Sequence, residues 1–190
     1  MKIPTTALAL RDIDVLFRPF EHRKINLHTR LVVAPIPRLF SDDGVPTIEM
    51  KRYYSRRAGH DVGLIISEPV SVNETGGVDE GMAHFYGGRA LREWKGILRA
   101  VHISGCKMAP LLTHAGMLHP GDSAAGPSGI EPVSLLKRAD AMSRESIRTV
   151  ISDFARAAAA ARLMGFVGRR EDIVIPWEAI TRIGDDIILV

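Results

Sequence analysis

The sequence holds one cysteine, Cys106, so an internal disulfide framework is excluded and a reducing compartment is implied. No His or other base neighbours Cys106, which lies between Gly105 and Lys107; a structural thiol is expected there rather than a nucleophile. No apolar run approaches the roughly 18 residues of a membrane span. The N-terminus, MKIPTTALALRDIDVLF, lacks a charged-then-apolar signal pattern and carries Arg11, Asp12 and Asp14 early, so a cytoplasmic protein without membrane contact is expected. Basic blocks are missing too. The net charge of +3 is a small excess, and the pairs Arg56-Arg57 and Arg169-Arg170 read as isolated solvated surface, which argues against nucleic acid as a partner. No His, Cys, Asp or Glu set has metal-ligand spacing; His84 and His102 stand without partners.

What is present is an alternation of apolar runs and helical stretches. Leu31 to Ile36 is a continuous β-branched run ended by Pro37, the pattern of a strand buried on both faces in a parallel sheet. A helix is expected from Pro46 to about Arg57, with Ile48, Tyr53 or Tyr54, and Ala58 turned inward. Val62 to Ser67 reads as a second buried strand, followed by a long loop punctuated by Gly76-Gly77 and Gly87-Gly88. A helix from Arg89 to Ser104 buries Leu91, Trp94, Leu98 and Val101, with Gly105 as its stop. Lys107 to Leu112 is a third strand despite its internal Pro110. The longest helix, Arg144 to Met164, has Ser143 as N-cap and Gly165 as terminator. Its expected apolar stripe is Ile147, Val150, Ile151, Phe154, Ala158, Ala161 and Met164. Three strand–helix alternations imply an α/β fold with a parallel sheet. Beyond Gly165 the texture becomes β–turn–β, with Asp172–Trp177 and Ile187–Val190 as strands. Asp42-Asp43 and Asp185-Asp186 read as solvated turns, and Trp94 and Trp177 as core residues.

At Asn26-Leu27-His28-Thr29-Arg30-Leu31-Val32-Val33-Ala34-Pro35 the sequence resembles the first barrel strand of the Old Yellow Enzyme, or NADH:flavin oxidoreductase, family. The resemblance continues in order through Gly44-Val45-Pro46-Thr47, Tyr53-Tyr54, Gly63-Leu64-Ile65-Ile66-Ser67-Glu68, Phe85-Tyr86, Trp94-Lys95, Val101-His102, Leu112-Thr113-His114-Ala115-Gly116 and Pro127-Ser128. The helix from Ser143 to Phe166 completes it, so residues 15–166 are covered. The resemblance implies a (β/α)8 TIM barrel, of which residues 1–166 would supply about three βα units. It implies FMN as cofactor, NAD(P)H as reductant and a small substrate with an activated double bond.

By the same resemblance Ala34, Pro35, Ile36 and Pro37 would line the flavin after strand one, Pro69 would add a contact past strand two, and Leu111 would lie beside the ring at strand three. Three positions depart from the family pattern. Pro37 stands where Thr or Cys is common, Leu111 where a Gln bonds the pyrimidine edge, and Met117 where many members have Arg. His114, at the end of strand three, is expected to be hydrogen-bonded and structural. No position matches the family's His-His or His-Asn pair, its Tyr proton donor or its phosphate loops, so no catalytic residue is assigned. Residues 167–190 resemble the end of a PRC-barrel protein, and a fusion or mis-joined frame near residue 166 is expected. A barrel needs about 200 residues or more, so FMN binding is expected to be weak or absent. The alternative is a non-catalytic protein whose open sheet edge pairs with another chain, for instance as a homodimer.

Overall fold

The computed structural model describes residues 13–22, 25–120, 122–137, 139–166, 182–183 and 188–189. Its centre is a three-stranded parallel sheet in the order β3 (Val32–Val33), β6 (Leu64–Ser71), β7 (Lys107–Thr113). Two hairpins flank its start: β1 (Phe20–His22) with β2 (Ile25–Leu27), and β4 (Ser41–Asp42) with β5 (Val45–Pro46). Three helices follow the strands: α1 (Ile48–Ala58), α2 (Gly88–His102) and α3 (Arg144–Met164). Near the C-terminus β8 (Arg182–Ile183) pairs antiparallel with β9 (Ile188–Leu189). The β9 strand falls within the expected Ile187–Val190; Asp172–Trp177, Trp177 and Asp185-Asp186 lie outside the described residues.

The α/β alternation is as the sequence implies, with local corrections. The first strand is two residues long and not buried on both faces: Val32 is 49% exposed and Ile36 57% exposed. It pairs only with β6, so its other edge has no strand partner among the described residues. The start of the first expected helix shifts as well. Pro46 belongs to β5, opposite Ser41, and Thr47 is the residue before α1. Ile48 is 55% exposed; the inward row is Met50, Tyr54 and Ala58, spaced four apart on one helix face. Between β4 and β5, Asp43 and Gly44 both have positive φ, 48° and 68°. That is the two-residue Asp-Gly hairpin turn favoured by strand twist, and it puts Asp43 in a turn as expected. A Cβ on Gly44 would meet the His84 ring at 2.1 Å, so this glycine also provides close approach.

The α2 helix runs Gly88–His102, and its Ala90, Trp94, Ile97, Leu98 and Val101 are buried. Gly105 takes φ 76° in the turn that returns the chain to β7. The α3 helix has the expected bounds: Ser143 Oγ accepts from the Ser146 amide at 3.0 Å, and Gly165 ends it at φ 91°. Its buried face is rotated from the expected stripe. Asp153, Ala157 and Ala161 are buried, whereas Ile151 is 63% exposed and Ala158 is exposed too. The cause is polar. Asp153 is drawn inward by the Asn73 amide, 2.7 Å away, and also accepts from Arg156. With Asp153 inward, the small Ala157 and Ala161 follow on the same face.

The core gathers Tyr54, Phe85, Trp94 and Phe166 in a chain of ring contacts 5.5–6.3 Å apart. Trp94 is fully buried and its indole N–H donates to the His84 carbonyl at 2.9 Å, so neither its area nor its donor is wasted. Cys106 is fully buried, with its thiol donating to the Lys107 carbonyl, and burial pushes it up to about 11. It is a structural thiol. Among the described residues no helix is long and apolar enough to cross a membrane. Trp94→Ala is expected to cost about 3–5 kcal/mol, read as a lower urea midpoint with unchanged slope; a loss under 1 kcal/mol would contradict the central place given to this ring.

Candidate functional site

In a parallel sheet all strands end on one side, and the loops leaving that side converge there. The chain leaving β3 runs Ala34-Pro35-Ile36-Pro37-Arg38-Leu39-Phe40. The Ile36 amide donates to the Ala34 carbonyl at 3.0 Å, a reversal centred on Pro35. Ala34, Ile36 and Pro37 are exposed and Pro35 is half-buried. Leu39 then takes φ 56°, the left-handed region, which costs a residue with a side chain about 1–2 kcal/mol. The next turn of chain is fixed by Thr47, whose hydroxyl and amide both donate to the Phe40 carbonyl, at 2.6 and 3.1 Å.

What holds this strained segment is Glu68. Its Oε2 accepts from the Arg38 amide at 2.6 Å, and its carboxylate also receives the Leu39 amide. Glu68 is 2% exposed, and its Oε1 has no hydrogen-bond partner. Burial pushes its carboxyl above the ordinary range, against the pull of the two amides and the Arg38 charge. Gly81 backs the same segment: a Cβ there would lie 2.9 Å from that of Leu39.

Glu68 reaches the segment because β6 bulges. Ile66 pairs with Ala109 and Pro69 with Leu111, so Ser67 and Glu68 stand opposite Pro110 alone. Pro110 has no N–H to lose at that place, which explains why a proline sits inside β7. Side chains mend the ladder. The Leu111 amide donates to Ser67 Oγ at 3.0 Å, and the Glu68 amide donates to the Tyr54 hydroxyl at 2.8 Å. Desolvation holds the Tyr54 hydroxyl protonated well above its usual range.

Of the six site residues expected from sequence, two are brought together directly. Pro69 and Leu111 are cross-strand partners, both half-buried. Pro69 lies within β6 rather than past its end, because β6 runs on to Ser71. Residues 34–37 approach the same place through the bond from Arg38 to Glu68. Five of the six offer no free main-chain donor: Pro35, Pro37 and Pro69 have no N–H, and the amides of Ile36 and Leu111 are spent. The patch is rigid, apolar and acceptor-rich. Its neighbour His114 is hydrogen-bonded, accepting from the Gly116 amide at 3.0 Å and lying 3.3 Å from Thr75 Oγ1, and burial lowers its tendency to protonate. Met117 is buried. Glu68 and Tyr54 were not singled out in the sequence, although an acid inside the apolar run Leu64 to Val70 is a signal of a buried, bonded carboxyl.

Comparison with known proteins adds the context of this patch. Residues 15–169 match the NADH:flavin oxidoreductase / NADH oxidase family. The chain is 34% identical over 158 residues to the 12-oxophytodienoate reductase-like protein 1 of Arabidopsis thaliana, covering 77% of this chain and 48% of that protein. It is 29% identical over 155 residues to an NADPH dehydrogenase of Listeria welshimeri, covering 80% and 46%. Among solved structures it superimposes on the Old Yellow Enzyme from Pichia sp. AKU4542 with a TM-score of 0.72 at 27% identity, over 80% of this chain and 44% of that one. For morphinone reductase the values are 0.70, 26%, 80% and 46%. The chain thus spans less than half the length of these relatives, and its fold corresponds to part of their barrel.

Replacing Glu68 with Ala should cost about 1–3 kcal/mol and speed hydrogen exchange at the Arg38 and Leu39 amides ahead of global opening. Unchanged exchange at both would show that another group holds the segment. Since the folded carboxyl titrates above its unfolded value, the stability it contributes is fully present below the unfolded value and lost as pH rises through the raised one. Glu68→Gln should flatten that part of a pH–stability profile.

Proposed function

Because the chain belongs to the NADH:flavin oxidoreductase / NADH oxidase family, we propose that it contributes the flavin-facing first strands of an FMN-dependent NAD(P)H oxidoreductase of the ene-reductase type. What supports this reading is that Pro69 and Leu111 pair beside the Glu68 bulge of a parallel sheet, and that Glu68 holds, through the Arg38 amide, the segment that follows residues 34–37. One solved relative, morphinone reductase, is seen in complex with tetrahydroNAD, which supports a nicotinamide reductant. The substrate class that fits is a small molecule with an activated double bond. Residues 1–166 form the unit with this role, and residues 167–190 a separate PRC-like β tail. A lone, buried cysteine suits the reducing cytoplasm.

When bound, FMN supplies the hydride chemistry. The chain's own part is to shape and dry the surface. Ala34, Pro35, Ile36 and Pro37 would give one wall, and Pro69 and Leu111 another, with prolines whose fixed φ limits movement. Glu68 holds the first wall through the main chain, so the wall keeps its position without a side chain entering it. The fit is to the apolar faces of the ring. The pyrimidine edge needs hydrogen-bond donors, and Leu111 has none to give; each unsatisfied group there costs about 1–3 kcal/mol. No proton-transfer step is assigned to these six residues, because none titrates.

A second reading rests on the edge of β3, where Val32 is 49% exposed and pairs on one side only. There two copies would associate edge to edge as a homodimer. Light scattering after size exclusion should then give a dimer mass that Val32→Lys returns to monomer; a monomer at every concentration removes this reading.

Titrating FMN against the protein and following flavin fluorescence should show weak, saturable quenching. Leu111→Gln should tighten it roughly 5–10-fold, the worth of about one net hydrogen bond. Quenching that never saturates, or an unchanged Leu111→Gln variant, would withdraw the flavin assignment.

A further inference from the structure

The pair Arg56-Arg57 looks isolated along the chain, and the fold ends that isolation. Arg38 arrives from the segment held by Glu68, Arg52 sits one helical turn before Arg56, and the four guanidinium groups line a cleft of about 370 Å³. Its acidic lining is Glu49 alone, which pairs with Arg52 at 3.2 Å, both side chains being well exposed. Four positive groups against one negative leave +3 in the cleft, equal to the formal net charge of the whole chain. Glu68 lies behind Arg38, buried and bonded to its main-chain N–H, and does not line the cleft.

Two of these arginines are already positioned. The Arg57 guanidinium carbon lies 3.3 Å from the centre of the Tyr53 ring, and Arg57 also donates to the Tyr53 carbonyl at 3.2 Å. The Arg38 guanidinium lies 5.2 Å from the Tyr53 ring centre and 5.7 Å from that of Phe40, and the two rings meet edge to face. Aromatic faces thus hold the cations in place and lower the entropy lost when they close on a ligand. Among the described residues, no carboxylate oxygen lies within 4 Å of the Arg38, Arg56 or Arg57 guanidinium, although the buried Glu68 carboxyl feels the Arg38 charge from behind. Four cationic residues lining one cleft give it a positive potential that favours an oxyanion there.

We propose that this cleft is a binding site for a phosphate monoester group. A planar guanidinium fork matches phosphate oxygens two at a time. A dianion nearly balances a local +3, which a single carboxylate does not. The cleft takes a compact group rather than a nucleic-acid strand: the Tyr53 face is occupied by Arg57, so it offers no platform for stacking bases. The inference is independent of flavin binding, since none of the six flavin-facing residues lines the cleft.

Calorimetric titration at constant ionic strength with phenyl phosphate, and in a separate arm co-sedimentation with phosphatidic acid vesicles, tests the site and tells a soluble ester from a lipid headgroup. Saturable binding of either probe is expected, weakening about tenfold in Arg52→Gln/Arg56→Gln, whose side chains are exposed. Arg38→Lys keeps the charge but loses the fork, and should weaken binding several-fold. Thermal unfolding of each variant without probe checks that the fold is intact. The proposal is overturned if neither probe binds saturably, or if the double Gln variant, still folded, binds as tightly as the parent.

Discussion

The bulge in β6 is the constraint around which the rest is arranged. Inserting one extra residue opposite Pro110 turns Ser67 and Glu68 both inward, where two polar side chains would otherwise be expensive. Each then performs a repair. Ser67 accepts the amide that Pro110 leaves without a partner pattern, and Glu68 reaches across to the chain leaving β3. Tyr54, from α1, receives the amide exposed by the bulge itself. Helix, sheet and loop are thereby tied at one point by directional bonds, while the Tyr54–Trp94–Phe166 rings supply the non-directional burial around it. The left-handed Leu39 persists because this tie is stronger than its strain.

Much of the architecture was legible in the sequence because it follows from periodicity. The bounds of α3 follow from Ser143, Gly165 and the apolar spacing between them, and Trp94, Leu98 and Val101 of the buried row of α2 follow from theirs, with Leu91 only half-buried. The proposed place of the site rests on family resemblance. What was not legible depends on partners that are distant in the chain. The α3 stripe differs from the sequence expectation because hydrophobicity alone cannot say that Asp153 turns inward toward Asn73, 80 residues away. The extent of β6 is hidden in the sequence because Pro69 reads as a terminator unless a bulge removes the demand for its N–H. The role of Pro46 is ambiguous in the sequence because a proline fits a first helical turn and the end of a short edge hairpin equally well.

The same distance argument covers the candidate sites. Family resemblance alone points to Ala34–Pro37, Pro69 and Leu111, whereas the bonds from the Arg38 amide to Glu68 and from the Leu111 amide to Ser67 exist only once the strands are side by side. The arginine cleft has no linear signature at all, since Arg38 and Arg57 are joined only by two aromatic rings. Pairs that look solvated along the chain become a charge cluster once α1 is laid beside the loop after β3.

The single thiol has a use beyond packing. Cys106 is wholly enclosed at the start of β7, and burial holds it in the unreactive protonated form. A thiol reagent can therefore reach it only in molecules that have opened around the sheet, so its rate of labelling counts those molecules. The protein carries its own clock for opening, placed immediately before the strand β7 of the central sheet.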